Sequence, residues 1–209
     1  MPKLSWSMPR ALVASLALIS VLGSGAWAQQ PPTMRIRGTI EAFDGSLLTV
    51  KSREGNEVKV RMTDNATVVG VTNIALSEIK PGSYIGVSAL PEPDGTQKAL
   101  AVHIFPEAQR GVAEGFRPWD LRPNSTMTNA TVAETVASTD GQTILVKYKD
   151  GEKKVVVPPG TPVVTFVPGE KSELKPGAKI IIFGATKKDD GTLEANRVNV
   201  GRDGITPPM

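Results

Sequence analysis

The sequence predicts an all-β protein: two tandem five-stranded small barrels, each with a short helical turn, behind a signal peptide. Three observations carry this. Apolar and polar residues alternate with a period of two through most of 34–105, the pattern of half-buried strands. Gly, Asp and Pro turn marks interrupt the alternation at intervals too short for packed helices. The same outline is then written again over 129–200. Asp44-Gly45 recurs as Asp140-Gly141, Lys51 as Lys147 and Gly55 as Gly151, a spacing of 140 − 44 = 96. Lys80-Pro81-Gly82 recurs as Lys175-Pro176-Gly177, and Asp94-Gly95-Thr96 as Asp190-Gly191-Thr192, so one deletion and one insertion separate the copies.

The chain opens on the signal. Lys3 and Arg10 give it a positive start, residues 11–22 are apolar apart from serines, and Ala26-Trp27-Ala28 offers small residues at a cleavage site. The run is shorter than the roughly 20 residues that span a bilayer. Residues 1–28 are therefore expected to be removed, placing the rest in the periplasm or outside the cell with no stable membrane insertion. The signal holds two of the 24 basic residues and none of the 21 acidic ones, which leaves 22 − 21 = +1. That balance excludes nucleic acid as partner. With no cysteine in the chain there are no disulfides, so stability must come from packing.

In the first copy (34–105), Ile36, Gly38, Ile40 and Ala42 alternate with Arg35, Arg37, Thr39 and Glu41 in strand one. Asp44-Gly45 turns the chain, because glycine accepts a positive φ without steric cost. Leu48 and Val50 then face the core. After Glu54-Gly55-Asn56, Val58, Val60 and Met62 do so in strand three. Residues 67–71 follow, then 75–79 as a helical turn that Pro81-Gly82 stops. Ile85 and Val87 point inward from strand four, and Leu100, Val102 and Ile104 from strand five. Five strands with a helical turn between the third and fourth match an OB-like barrel, with an SH3-like barrel or an open sheet as alternatives. The second copy (129–200) repeats the plan with more valine. Glu134 there replaces Gly38, either as an acid in a cleft or, more simply, on a rim or bulge where it reaches water.

Gly38-Thr39-Ile40, Asp44-Gly45, Leu48-Thr49-Val50, residues 76–82 and Asp94-Gly95-Thr96 together resemble the bacterial domain of unknown function 5666. The second copy, ending Asp190-Gly191-Thr192-Leu193 and Arg197-Val198, is similar to it as well. These motifs are mostly turn punctuation, so the resemblance implies a fold and no activity.

Residues 106–128 form a connector that holds Phe116, Trp119, Arg117 and Arg122 between prolines, unlike a flexible Gly/Ser linker. Either the aromatics pack in a seam between the barrels, or they form a recognition loop, since Trp and Arg are enriched at binding hot spots. Tyr84, His103 and Phe105, if outward, add an apolar patch. The candidate partner-binding set is thus Phe116, Trp119, Arg117, Arg122, Tyr84, His103 and Phe105, facing an envelope protein or a saccharide. A single histidine and no cysteine exclude Cys/His zinc sites and Cys-based triads, and no phosphate loop is present. The expected role is binding or scaffolding without cofactor, not catalysis, with an envelope hydrolase as a distant alternative. The sharper alternative is soft-metal (copper-type) binding by His103, Met34 and Met127. Parity weakens it, because His103 alternates with Val102 and Ile104 and is expected on the exposed face. Residues 201–209 are expected to be a disordered tail.

Overall fold

The computed structural model describes residues 33–138 and 141–209; the signal-peptide expectation for 1–28 lies outside them. The described residues are all-β. The strands are β1 (Thr33–Asp44), β2 (Leu47–Ser52), β3 (Glu57–Asn73), β4 (Tyr84–Pro91), β5 (Gln97–Ile104), β6 (Gly115–Pro118), β7 (Thr126–Ser138), β8 (Gly141–Tyr148), β9 (Gly151–Val157), β10 (Val163–Pro168), β11 (Lys179–Lys187) and β12 (Leu193–Gly201). Single 3-10 turns at Leu76–Glu78 and Lys171–Glu173 occupy the places of the expected helical turns. Among the described residues no helix is long and apolar enough to cross a membrane.

The pairing corrects the tandem arrangement. β1 pairs with β2, β2 with β3, β3 in parallel with β12, β12 with β11, and β11 returns to β1. The second ring runs β7, β8, β9, then β5 in parallel, then β4, and back to β7. Each ring therefore takes three strands from one copy and two from the other. The buried clusters say the same. Ile36, Leu48, Val60 and Val68 pack with Leu174, Ile180, Ile182 and Val198, while Ile79, Ile85, Val87 and Val102 pack with Val132, Ile144, Val155 and Val163.

The exchange has a local cause. β3 runs unbroken for 17 residues, where the sequence suggested a stop after Met62. At about 3.3 Å per residue it carries the chain beyond its own ring. The even-numbered Val60, Met62 and Val68 face that ring, whereas Val71 on the opposite face joins a third cluster. The C-terminal part of β3 pairs antiparallel with β10, with Val71 opposite Phe166. Since 166 − 71 = 95, the offset of the neighbouring Lys80 and Lys175, these two are counterparts and mark a pseudo-twofold axis.

Two further expectations are corrected. Val132 pairs with Val146 as Ile40 pairs with Val50, so β7 matches β1 at an offset of 132 − 40 = 92. The β7–β8 hairpin is therefore four residues longer and projects past the ring, leaving Glu134 exposed just after a bulge, at the rim, and Val136 59% exposed. Gly38 corresponds to Ala130, not Glu134. A register shift opposite Ser88 and Ala89 also turns Leu100 out of the core, which Ala99 and Val102 fill. The tail is built into the fold: Arg202 forms a bidentate pair with Glu173 at 2.9 Å, and Met209 is buried.

Candidate functional site

The third cluster lies along the pseudo-twofold seam, where Val71, Val164, Phe166 and Ile181 meet Met127 and Met209, with Phe105, Trp119 and Phe183 at its edge. The segments that follow the fifth strand of each copy both close over it. The connector brings Trp119, and the tail brings Met209. Arg37 ties them together, donating one bond to Asp120 at 2.7 Å and another to the Met209 main-chain oxygen. Asp120 also receives Arg35 at 2.9 Å. Burial alone would raise the Asp120 carboxyl, but the hydrogen bonds and charges of Arg37 and Arg35 outweigh it and bring it down to about 2.

Packing leaves a cavity of about 390 Å³ beside this seam, within the range of small-molecule sites. Its walls include Phe105, Phe166, Phe183 and Trp119. Arg35, Arg117 and Arg197 also line it, and no Asp or Glu does. Arg35 stacks on the Trp119 ring, 3.8 Å from its centroid, while Asp120 holds its guanidinium. Arg117 donates to the Ala113 carbonyl at 2.8 Å, and Arg197 to Asn199 Oδ1 at 3.2 Å. Neither forms an ion pair among the described residues. Burial lowers both guanidinium pKa values, aided for Arg117 by the charge of Arg35. Asn129, 4% exposed, also lines the cavity. Its amide donates to the Val112 carbonyl at 3.0 Å, but its Oδ1 has no partner, and neither has the buried indole N–H of Trp119. Such orphaned atoms are rare in folded chains.

His103 sits at the back of this space. As parity required, it points away from its ring's core. The exposure expected of it is corrected, because the seam covers that face and leaves it 4% exposed. It stands edge-on to Phe105 at 4.2 Å and faces Gly86, its partner in β4, where a side chain would collide with the imidazole. Burial, then the nearby charge of Arg117, pushes its pKa down to about 3. The second copy has Ile181 opposite Asn199 at this register, so the pair has diverged as a unit: small beside large in one ring, large beside small in the other.

Of the sequence-predicted residues, the structure gathers His103, Phe105, Arg117 and Trp119 around one cavity. Tyr84 lies behind Phe105, buried rather than outward, and its hydroxyl donates to the Val112 carbonyl at 3.1 Å. Phe116 and Arg122 do not join them. Phe116 faces solvent under Lys153 because β6 pairs with β7 and alternates its side chains, and Arg122 borders a separate cleft near Arg37 and Arg53. The soft-metal set is not assembled as expected: Met127 lines the cavity with His103, but Met34 is half-exposed on β1. Met209 instead brings its Sδ to 3.0 Å from His103 Nδ1. Among the described residues, no three His, Cys, Asp or Glu side chains could share a metal. Sequence reasoning missed Arg35, Arg197, Asn129, Phe166 and Phe183. Each looks like an ordinary strand residue, and only the strand exchange brings them together.

A chain of exchanged β rings enclosing a cationic, aromatic cavity is the class these features define. Residues 37–103 match a family described as Domain of unknown function (DUF5666). The match spans the first copy, whose strands are divided between both rings, so the family's sequence unit is not a spatial unit here. No curated protein and no solved structure matches the chain.

Proposed function

We propose that this is a non-catalytic binding protein, working outside the cytoplasm, that holds a small molecule in the seam cavity between two OB-like rings. The observation that carries the reading is a partly closed space walled by aromatic rings and three arginines, two of which, Arg117 and Arg197, have no carboxylate partner among the described residues. Catalysis has little to work with. The one histidine is buried among apolar rings and stays neutral, and no carboxylate lines the cavity. Two larger clefts, of about 760 and 600 Å³, gather mainly turn residues, lysines and the tail, without an aromatic wall. The test is a thermal-shift screen of envelope metabolites against the full chain, repeated with Gln109→Trp, which plugs the cavity's rim. Stabilising compounds whose effect the plug abolishes are expected. Hits indifferent to the plug, or none at all, overturn the reading.

A second reading keeps the soft metal with a changed ligand set. His103 Nδ1 and Met209 Sδ already lie together, Met127 belongs to the same cluster, and a neutral imidazole needs no deprotonation before it ligates. Copper(I) titration of the full chain under a competing chelator tests it. Micromolar or tighter binding that Met209→Leu weakens tenfold supports it, and unchanged binding retires it.

A further inference from the structure

Resting on the small-molecule reading of the seam cavity, we infer that its ligand is a flat aromatic carboxylate, held at one end by Arg117 and Arg197 and along its faces by the aromatic walls. The charge of the site selects an anion. Among the described residues, three guanidinium groups line the space and no acid does; Asp120 is committed to Arg35 and Arg37, leaving Arg117 and Arg197 without a carboxylate. An unpaired, half-buried cation is costly, and a planar guanidinium matches the two oxygens of a carboxylate with parallel hydrogen bonds. The fold does not oblige Arg197 to be there. At the counterpart of Arg197, by 197 − 96 = 101, stands a buried alanine, and that ring closes equally well.

The walls select the rest of the molecule. Phe105 and Phe166 present tilted faces with centroids 6.1 Å apart, and Arg197 stands over Phe166 at 5.6 Å as Arg117 stands over Trp119 at 5.6 Å. Each free cation is thus paired with a ring, so a ligand that meets the guanidinium brings its body against an aromatic face. A space of about 390 Å³ suits one or two fused rings and is too small for an extended saccharide.

Isothermal titration calorimetry of the full chain with 2-naphthoate and its neutral isostere 2-naphthamide separates this inference from the reading beneath it. Charge-assisted hydrogen bonds of about 2 kcal/mol predict that the acid binds roughly 30-fold tighter than the amide. Arg117→Gln with Arg197→Gln should bring the two within about threefold, and the circular dichroism melt of that variant checks that the fold persists. The comparison on the unaltered chain needs no variant. Equal affinity for acid and amide overturns the anionic ligand and leaves the cavity reading standing. If neither probe binds at millimolar concentration, both fall. Acid selectivity that survives the double variant also refutes the inference, since the discriminating charge would then lie elsewhere.

Discussion

Lowering the pH from 7.5 to 5.0 should destabilise this protein through one side chain. His103 is buried and held neutral down to about pH 3, whereas in the unfolded chain it takes a proton near its ordinary value of 6.5. Between those limits the unfolded state binds the extra proton, so stability is full above about pH 6.5 and falls as pH drops toward 3. At pH 5 the two values give a loss of about 2 kcal/mol, or roughly 4–8 °C in Tm for a chain of this size. The carboxyls of Asp120, Asp94, Asp190, Glu173, Glu54 and Glu107 are all lowered, so what they contribute is lost as pH falls through and below the ordinary carboxylate range, mostly below pH 5. Urea denaturation followed by circular dichroism at the two pH values measures the loss, and His103→Gln should abolish the difference whatever its effect at pH 7.5. A loss under about 0.5 kcal/mol in the unaltered chain, or the same loss in His103→Gln, would mean that water reaches the ring and that burial does not set its charge.

Three other outcomes follow from the packing. A Cβ built on Gly86 falls 2.7 Å from His103 Nδ1, so Gly86→Ala should cost about 2–3 kcal/mol, shrinking below about 1 in a His103→Ala background; an undiminished cost in that cycle breaks the proposed contact. Trp119→Ala should cost about 3 kcal/mol because the ring belongs to the seam, while Phe116→Ala, at a position 41% exposed, should cost under about 1; equal losses on denaturation reject the division of the connector. Residues 29–105 expressed alone should form an exchanged dimer, because the 17-residue β3 delivers β4 and β5 to a neighbour; a folded monomer by light scattering would show that one copy closes on itself.

Much of the fold could be read from the residues, and the limits are instructive. Period-two patterning located the strands, and the doubled turn marks located the copies. Asp94 and Asp190 even accept matching bonds from the Thr96 and Thr192 amides, each at 2.9 Å. Strand exchange left no such mark, because Ile85 is buried equally well against its own copy or the other, and alternation is blind to that choice. His103 illustrates the same limit. Its parity was readable, but its burial depends on Phe166 and Met209, which approach from 63 and 106 residues away in sequence. The connector's Trp119 and Arg117 were legible as unusual in composition. Arg197 was not, since an arginine at strand spacing is expected to face water.

Exchange and divergence together explain why one cavity exists where symmetry would give two or none. Identical copies around the Val71–Phe166 axis would place the same residues on both sides of the seam. Here the two sides differ at corresponding positions: Phe183 where the other copy has Ser88, at 183 − 95 = 88, Arg197 against Ala101, and Ile181 against Gly86. The larger member of each pair belongs to the strands the second copy donates, β11 and β12, and two of them, Phe183 and Arg197, wall the cavity. His103 is the reverse case: it fills the space Gly86 leaves, so that flank stays closed without a large residue on β4. The duplication supplies the rings, and the loss of symmetry at a few seam positions supplies the chemistry. Restoring symmetry by Arg197→Ala with Phe183→Ser should therefore keep the rings while removing the wall and the charge from which the proposed ligand's selectivity derives.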